Sequence, residues 1–250
     1  MPRFFVTLSY NGRNYVGWQI QPNGVSVQQV MQHALSLILR ESVQIVGAGR
    51  TDAGVHARKM IAHFDWSGGA ISPGDLVYKL NNFLPKDISV SDIRPVKPDA
   101  HARFSALLRT YSYHIITQKD PFLHEFTYRI HFHPNLQQMN ALCDVLKEYS
   151  DFTSFSKLHT DVQTNLCRIA SARWEKKGDH HYLFTITADR FLRNMVRAIV
   201  GTLLEAGRGR IDEHDLRRII EARNRSTAGD SVPAHALFLE DVVYPDDIWL

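Results

Sequence analysis

Twice along this chain the hydrophobic period changes from about two residues to about 3.6 and back in the same order, and that order restricts the fold more than any single residue does. Phe4, Val6, Leu8 and Tyr10 alternate with Phe5, Thr7 and Ser9, so the segment reads as a strand, ended by the turn residues Asn11-Gly12. Ser26 is a good N-cap for an amphipathic helix to about Arg40, with Val27, Val30, Met31, Ala34, Leu37 and Ile38 on one side. Strands are predicted at 43–47 and about 58–65, a helix from Ser72-Pro73 to about Phe83, and a strand from Ile88 to Val96. The second half repeats the order. A strand from Leu107 to Gln118, which 127–132 could join, precedes a helix from Pro134 to about Tyr149. Two strands, about 166–176 and 181–188, turn at Lys177-Gly178-Asp179. Helices over Arg190–Ala206 and 212–222 and a strand at 236–244 complete it. Two β-α-β-β-α-β units predict an α+β duplication with a cleft between its halves, the boundary falling near 100–106.

Size and composition set wider limits. The 250 residues suffice for one large domain or two small ones. No apolar run approaches a membrane span, and the N-terminus enters a strand pattern with no signal-peptide core, so no membrane partner is expected. Cys143 and Cys167 lie far apart and outside any metal-ligand spacing, which reads as reduced thiols in a cytoplasmic protein. The formal charge of +3 is unevenly spread. Residues 226–250 hold five acids and no Lys or Arg, whereas 190–225 hold nine arginines against five acids. A basic body suits a polyanionic partner.

The densest candidate for chemistry is Gly47-Ala48-Gly49-Arg50-Thr51-Asp52-Ala53-Gly54-Val55-His56-Ala57. Its glycines and alanines leave room for close approach, and into that compact loop are set a cation, Arg50, and a carboxylate, Asp52. The loop lacks the Gly-Lys-Ser/Thr ending of a phosphate-binding P-loop and leads into a strand, so a nucleotide triphosphatase is a poor reading. From spacing alone Asp52 reads as a turn former, Thr51 carries no signal, and His56 reads as structural rather than as a base. The pairs His131/His133 and His180/His181 have no matching carboxylate or cysteine set, so no metal site is expected. On the 190–206 helix, Leu192, Met195, Val196, Ile199 and Leu203 form an apolar stripe. Arg190, Arg193, Asn194, Arg197 and Gly201 face the other way, as a solvated face or as a cationic ridge toward nucleic acid; the residues alone favour the former. Leu107, Arg109, Tyr111, Tyr113 and Ile115 share a strand face that suits a nucleobase and its phosphates, or simply makes a good strand.

Together these stretches resemble the bacterial TruA-type tRNA pseudouridine synthases. Gly49-Arg50-Thr51-Asp52-Ala53-Gly54-Val55-His56-Ala57 is similar to that family's active-site motif. Further similarity lies in Tyr10-Asn11-Gly12…Tyr15…Gly17-Trp18-Gln19, where Asp is commoner than Asn11, and in His101-Ala102-Arg103-Phe104-Ser105-Ala106 with Arg109 and Tyr111-Ser112-Tyr113. Asp151-Phe152-Thr153-Ser154-Phe155 and Asn194 to Gly201 continue it, from about residue 4 to 245 in family order. Pro233-Ala234-His235 departs in having Ala where Gly is usual. The resemblance implies that Asp52 is the catalytic nucleophile and that Arg197 pairs with it. It implies too that Tyr111 stacks on the target base and that Arg50 helps hold the turned-out nucleotide. It further implies two ferredoxin-like halves, 1–105 and 106–250, forming one mixed, mainly antiparallel sheet. Helices would lie on one side and the site in a central cleft. The expected reaction is isomerisation of uridine to pseudouridine at positions 38, 39 and 40 of the tRNA anticodon stem-loop, by a homodimer, with no cofactor. Two alternatives are a non-catalytic RNA-binding module of the same fold and a metal-dependent nucleic-acid hydrolase using Asp52 and histidines. The presence of Arg50, Asp52, Tyr111 and Arg197 together argues against mere binding.

Overall fold

The computed structural model describes residues 1–69, 72–157 and 164–250. In chain order the strands and helices are β1 (Arg3–Tyr10), α1 (Val27–Leu39), β2 (Ile45–Gly47), β3 (His56–Asp65), α2 (Pro73–Phe83) and β4 (Ile88–Val96). There follow β5 (Leu108–Ile116), β6 (Tyr128–Arg129), α3 (Leu136–Leu146), β7 (Ile169–Lys176), β8 (His181–Ala188), α4 (Met195–Gly207), α5 (Glu213–Glu221) and β9 (Leu237–Val243). The chain is α+β, and its strand pairings are mixed but mainly antiparallel. It divides into two compact units, one of Met1–Leu108 with Phe238–Leu250, the other of Arg109–Leu237.

In the first unit β1 is central, antiparallel to β3 on one side and β4 on the other. Val6 and Leu8 of β1 stand opposite Ala62 and Met60 of β3, and opposite Ile93 and Val90 of β4. All six are buried, so alternation along β1 places one face in the core. Beyond β3 lie β2, antiparallel, and at His56 and Ala57 the parallel β9. Ser26 caps α1 by accepting the Gln29 N–H at 3.2 Å, as its hydroxyl predicts. The buried arc of α1 is Val27, Met31, Ala34 and Leu35, while Leu37, expected on that side, is 52% exposed. The two leucines flank the same stripe at its opposite edges, and the packing neighbour decides which edge is covered. Asn81 of α2 accepts the Val90 N–H at 2.8 Å and donates to the Val90 carbonyl at 2.7 Å, joining α2 to β4.

In the second unit β5 and β8 pair antiparallel from Arg109 opposite Ala188 to Ile116 opposite His181, β7 lies beyond β8, and β6 runs parallel to the end of β5. Tyr113, Ile115, Trp174, Phe184 and Ile186 are buried. Asn140 of α3 brackets Trp174 of β7 as Asn81 brackets Val90, accepting its N–H at 2.8 Å and donating to its carbonyl at 3.0 Å. Helix α5 begins with a capping box in which the Asp212 carboxylate accepts the Asp215 N–H at 3.0 Å and the Asp215 carboxylate accepts the Asp212 N–H at 3.2 Å. Cys143 and Cys167 are buried free thiols, and burial pushes both up to about 12, which suits core fillers.

The 190–206 prediction needs correction. The helix starts at Met195, because Asn194 at its N-terminus is left-handed, with φ 66°, so Arg190, Arg193 and Asn194 precede it. It has no solvated face, since Ala198, Val200, Gly201, Thr202 and Leu204 are buried along with the stripe. Residues 229–232 cover the side expected to be open. A Cβ on Gly201 would fall 1.8 Å from the Asp230 carbonyl oxygen, and the Thr202 hydroxyl accepts the Gly229 N–H at 2.9 Å. A helix apolar nearly all round is a buried one.

Candidate active site

The glycine-rich loop connects β2 to β3 and is held from below by the stretch that follows β1. Thr51 is its anchor. It is 7% exposed, its hydroxyl meets the Tyr10 hydroxyl at 2.8 Å, and its carbonyl accepts the Trp18 N–H at 3.2 Å. With Thr51 directed inward, Arg50 is exposed and Asp52 half-buried. The Val55 N–H donates to the Asp52 carbonyl at 3.1 Å, closing a turn through Gly54, whose φ of +79° favours glycine. The Gly54 N–H donates to the Tyr15 carbonyl at 3.3 Å.

The small residues have separate reasons. Gly47 packs under Trp18, whose ring would lie 2.5 Å from an added Cβ, and Gly54 supplies the turn. Gly49 has nothing among the described residues within 4 Å of where its Cβ would be, so neither their packing nor its backbone angle demands it. Its bareness leaves the space before Arg50 open to a ligand.

Tyr111 and Arg197 belong to the second unit. Tyr111 is half-buried on β5, edge-on to Phe191 with ring centroids 5.1 Å apart. Tyr113, which pattern could not separate from it, is fully buried, and its hydroxyl donates to the Pro233 carbonyl at 2.8 Å. Burial pushes that phenol well above its ordinary range, against the lowering effect of the Arg197 charge. Arg197 is half-buried in the first turn of α4, and its Nε donates to the Val232 carbonyl at 2.7 Å, while the Val232 N–H returns to the Arg197 carbonyl at 3.2 Å. The segment that buries α4 thus also orients this guanidinium.

His181 meets His114 across the β5–β8 ladder at 3.0 Å. Among the described residues no three His, Cys, Asp or Glu side chains gather where a metal ion could be held. What sequence reasoning missed is the anchoring set Tyr10, Gly12, Thr51 and His56. All four lie inside stretches that resemble the family, but nothing in their spacing marks them as anchors, because their partners are distant in sequence.

Comparison with known proteins bears on what this loop does. A sequence-family profile described as tRNA pseudouridine synthase matches residues 7–105 and 149–245. A protein of Parabacteroides distasonis called tRNA pseudouridine synthase A is 59% identical over 252 aligned residues, covering 100% of this chain and 98% of its own length. Proteins of the same name from Bacteroides fragilis and Bacillus subtilis are 55% and 37% identical, covering 99% and 97% of this chain and 98% and 99% of theirs.

Proposed function

Because the chain belongs to the tRNA pseudouridine synthase family, we propose that it isomerises uridine to pseudouridine at positions 38 to 40 of the tRNA anticodon stem-loop, with Asp52 as the catalytic carboxylate. The observation that carries this is the anchored loop itself. It lies inside the family match and presents a half-buried carboxylate and an exposed guanidinium on either side of a buried threonine.

In this reading the N1–C1′ bond of uridine breaks, the uracil turns, and C5 bonds to C1′. The C5 proton is lost and N1 gains one, so nothing is oxidised and no atom group leaves. The target nucleotide must first leave its stack, at roughly a few kcal/mol. Tyr111 then provides a face for the extruded uracil, and Arg50 holds the displaced strand. Asp52 acts through its carboxylate. Arg197 pairs with its carboxylate and orients it. The orientation of Arg197 by Val232 supports that role, and the bareness of Gly49 supports close approach of a ribose. The two halves of the enzyme are then 1–105, with the catalytic loop, and 106–250, with Arg197 on α4. The enzyme works as a cytoplasmic homodimer, which sedimentation of the purified protein tests. None of its described helices is long and apolar enough to cross a membrane.

Incubating a tRNA transcript with the purified protein and mapping pseudouridine tests the reading. Wild type yields pseudouridine in the anticodon stem-loop, and Asp52→Asn yields none while still binding tRNA. Turnover by Asp52→Asn at the wild-type rate sinks the assignment.

A further inference from the structure

His56 has a role that its sequence context did not suggest. It is the first residue of β3 and only 1% exposed. Its ring lies nearly flat on Phe238, centroids 4.6 Å apart and planes 23° apart. Its Nδ1 accepts the backbone N–H of Gly12 at 3.0 Å. An accepting Nδ1 carries no proton, so this is the neutral ring with its hydrogen on Nε2. Gly12 in turn lies directly on the loop, where a Cβ would fall 2.0 Å from the Val55 carbonyl oxygen. Val55 closes the turn that starts at Asp52.

We infer that His56 is a positioning residue for Asp52: its Nδ1, by holding Gly12, sets how closely the segment after β1 sits under the 52–55 turn. This rests on the reading of Asp52 as the catalytic carboxylate. The loop is tied down at Gly54, whose N–H donates to the Tyr15 carbonyl, and at two further points. Thr51, held by Tyr10 and Trp18, fixes the residue before Asp52. His56 fixes the far end of the turn that begins at it. The Gly54–Tyr15 bond depends on the second, because the Tyr15 N–H donates to the Gly12 carbonyl at 3.0 Å, so the segment that His56 places is the one that holds the turn beyond Asp52. A carboxylate displaced by about 1 Å from attack geometry loses on the order of 100-fold in rate, so a buried imidazole that touches no substrate governs kcat. A histidine that merely filled the core would affect stability and leave the kcat of the folded protein alone.

Two amide side chains separate these roles. In His56→Asn the carbonyl oxygen takes the place of Nδ1 and continues to accept the Gly12 N–H. In His56→Gln the extra methylene carries the amide to the place of Nε2. Both are assayed by initial rates of pseudouridine formation on a tRNA transcript, beside Asp52→Asn. His56→Asn is expected within about threefold of wild-type kcat, and His56→Gln roughly 10- to 100-fold below it, both with KM within about threefold. Hydrogen exchange at the Gly12 amide is slow in wild type and His56→Asn and fast in His56→Gln. Equal kcat in the two variants overturns the inference. Should His56→Gln not fold, His56→Phe, which keeps a ring on Phe238 and removes the acceptor, takes its place with the same expectation. Turnover by Asp52→Asn overturns the carboxylate reading itself, an outcome distinct from equal kcat at position 56.

Discussion

Substituting Gly12 by alanine tests the contact between the segment after β1 and the catalytic loop most directly. An added Cβ would lie 2.0 Å from the Val55 carbonyl oxygen and 2.6 Å from its carbonyl carbon. Both are backbone atoms, so no rotamer change relieves the clash. Ordinary contact begins at about 3.5 Å, so the two backbones must part by roughly 1.5 Å. Overpacking of this kind costs about 1 to 3 kcal/mol. The same movement breaks the Gly12–His56 bond, adding about 1 kcal/mol. Urea denaturation should therefore show a loss of about 2 to 4 kcal/mol. The loop carrying Asp52 yields on one side of that gap, so kcat for pseudouridine formation should fall on the order of 100-fold while KM for tRNA stays within about threefold. Gly207→Ala is the control. There the nearest atom to a new Cβ is the Met139 sulfur at 2.7 Å, the flexible end of a side chain, which can move aside with kcat unchanged. A Gly12→Ala enzyme with wild-type kcat would refute the reasoning.

Arg197→Ala should lower kcat far more than any exposed Arg→Ala change, measured in the same assay at saturating tRNA. Tyr113→Phe leaves the part-buried Pro233 carbonyl without its 2.8 Å donor and should cost about 1 kcal/mol in urea; Tyr111→Phe keeps the ring, so its kcat at saturating tRNA reports whether the hydroxyl takes part in the chemistry. Burial pushes His63 from 6.5 down to about 4, while its Nδ1 accepts the Ala102 N–H at 3.1 Å. Below pH 6.5 the unfolded chain takes up a proton that the folded chain refuses. Stability should therefore fall between pH 6.5 and 4 by up to about 3 kcal/mol, and be unaffected by this group above pH 6.5. His63→Asn should flatten that slope in urea titrations at pH 7 and 4.5. Asp212→Ala removes the α5 cap and should cost about 1 kcal/mol with kcat unchanged.

The strands and caps were readable because they are local. Alternation along β1, Ser26 ahead of α1 and Ser72-Pro73 ahead of α2 act within a turn or two of themselves. Asp52 was readable only as a member of a family motif, since the Tyr10–Thr51 bond spans 41 residues and leaves no periodic trace. The start of α4 was misplaced because apolar spacing continues through Leu192 and Met195, whereas the backbone reverses hand at Asn194 between them. Its supposed outer face was misjudged for a related reason. The cover, residues 229–232, comes from an irregular stretch whose position no pattern announces.

Asn81 and Asn140 have a consequence for how this protein meets others. Each engages both main-chain groups of one residue on a strand with no further strand neighbour among the described residues, Val90 on β4 and Trp174 on β7. An incoming strand would find its docking groups there already taken by an amide that mimics one. At the far end of β4 the closing residues do likewise, with the Leu250 N–H on the Pro95 carbonyl and the Lys97 N–H on that of Ile248. Strand addition by a second copy of the chain would therefore meet main-chain groups already bonded at these points.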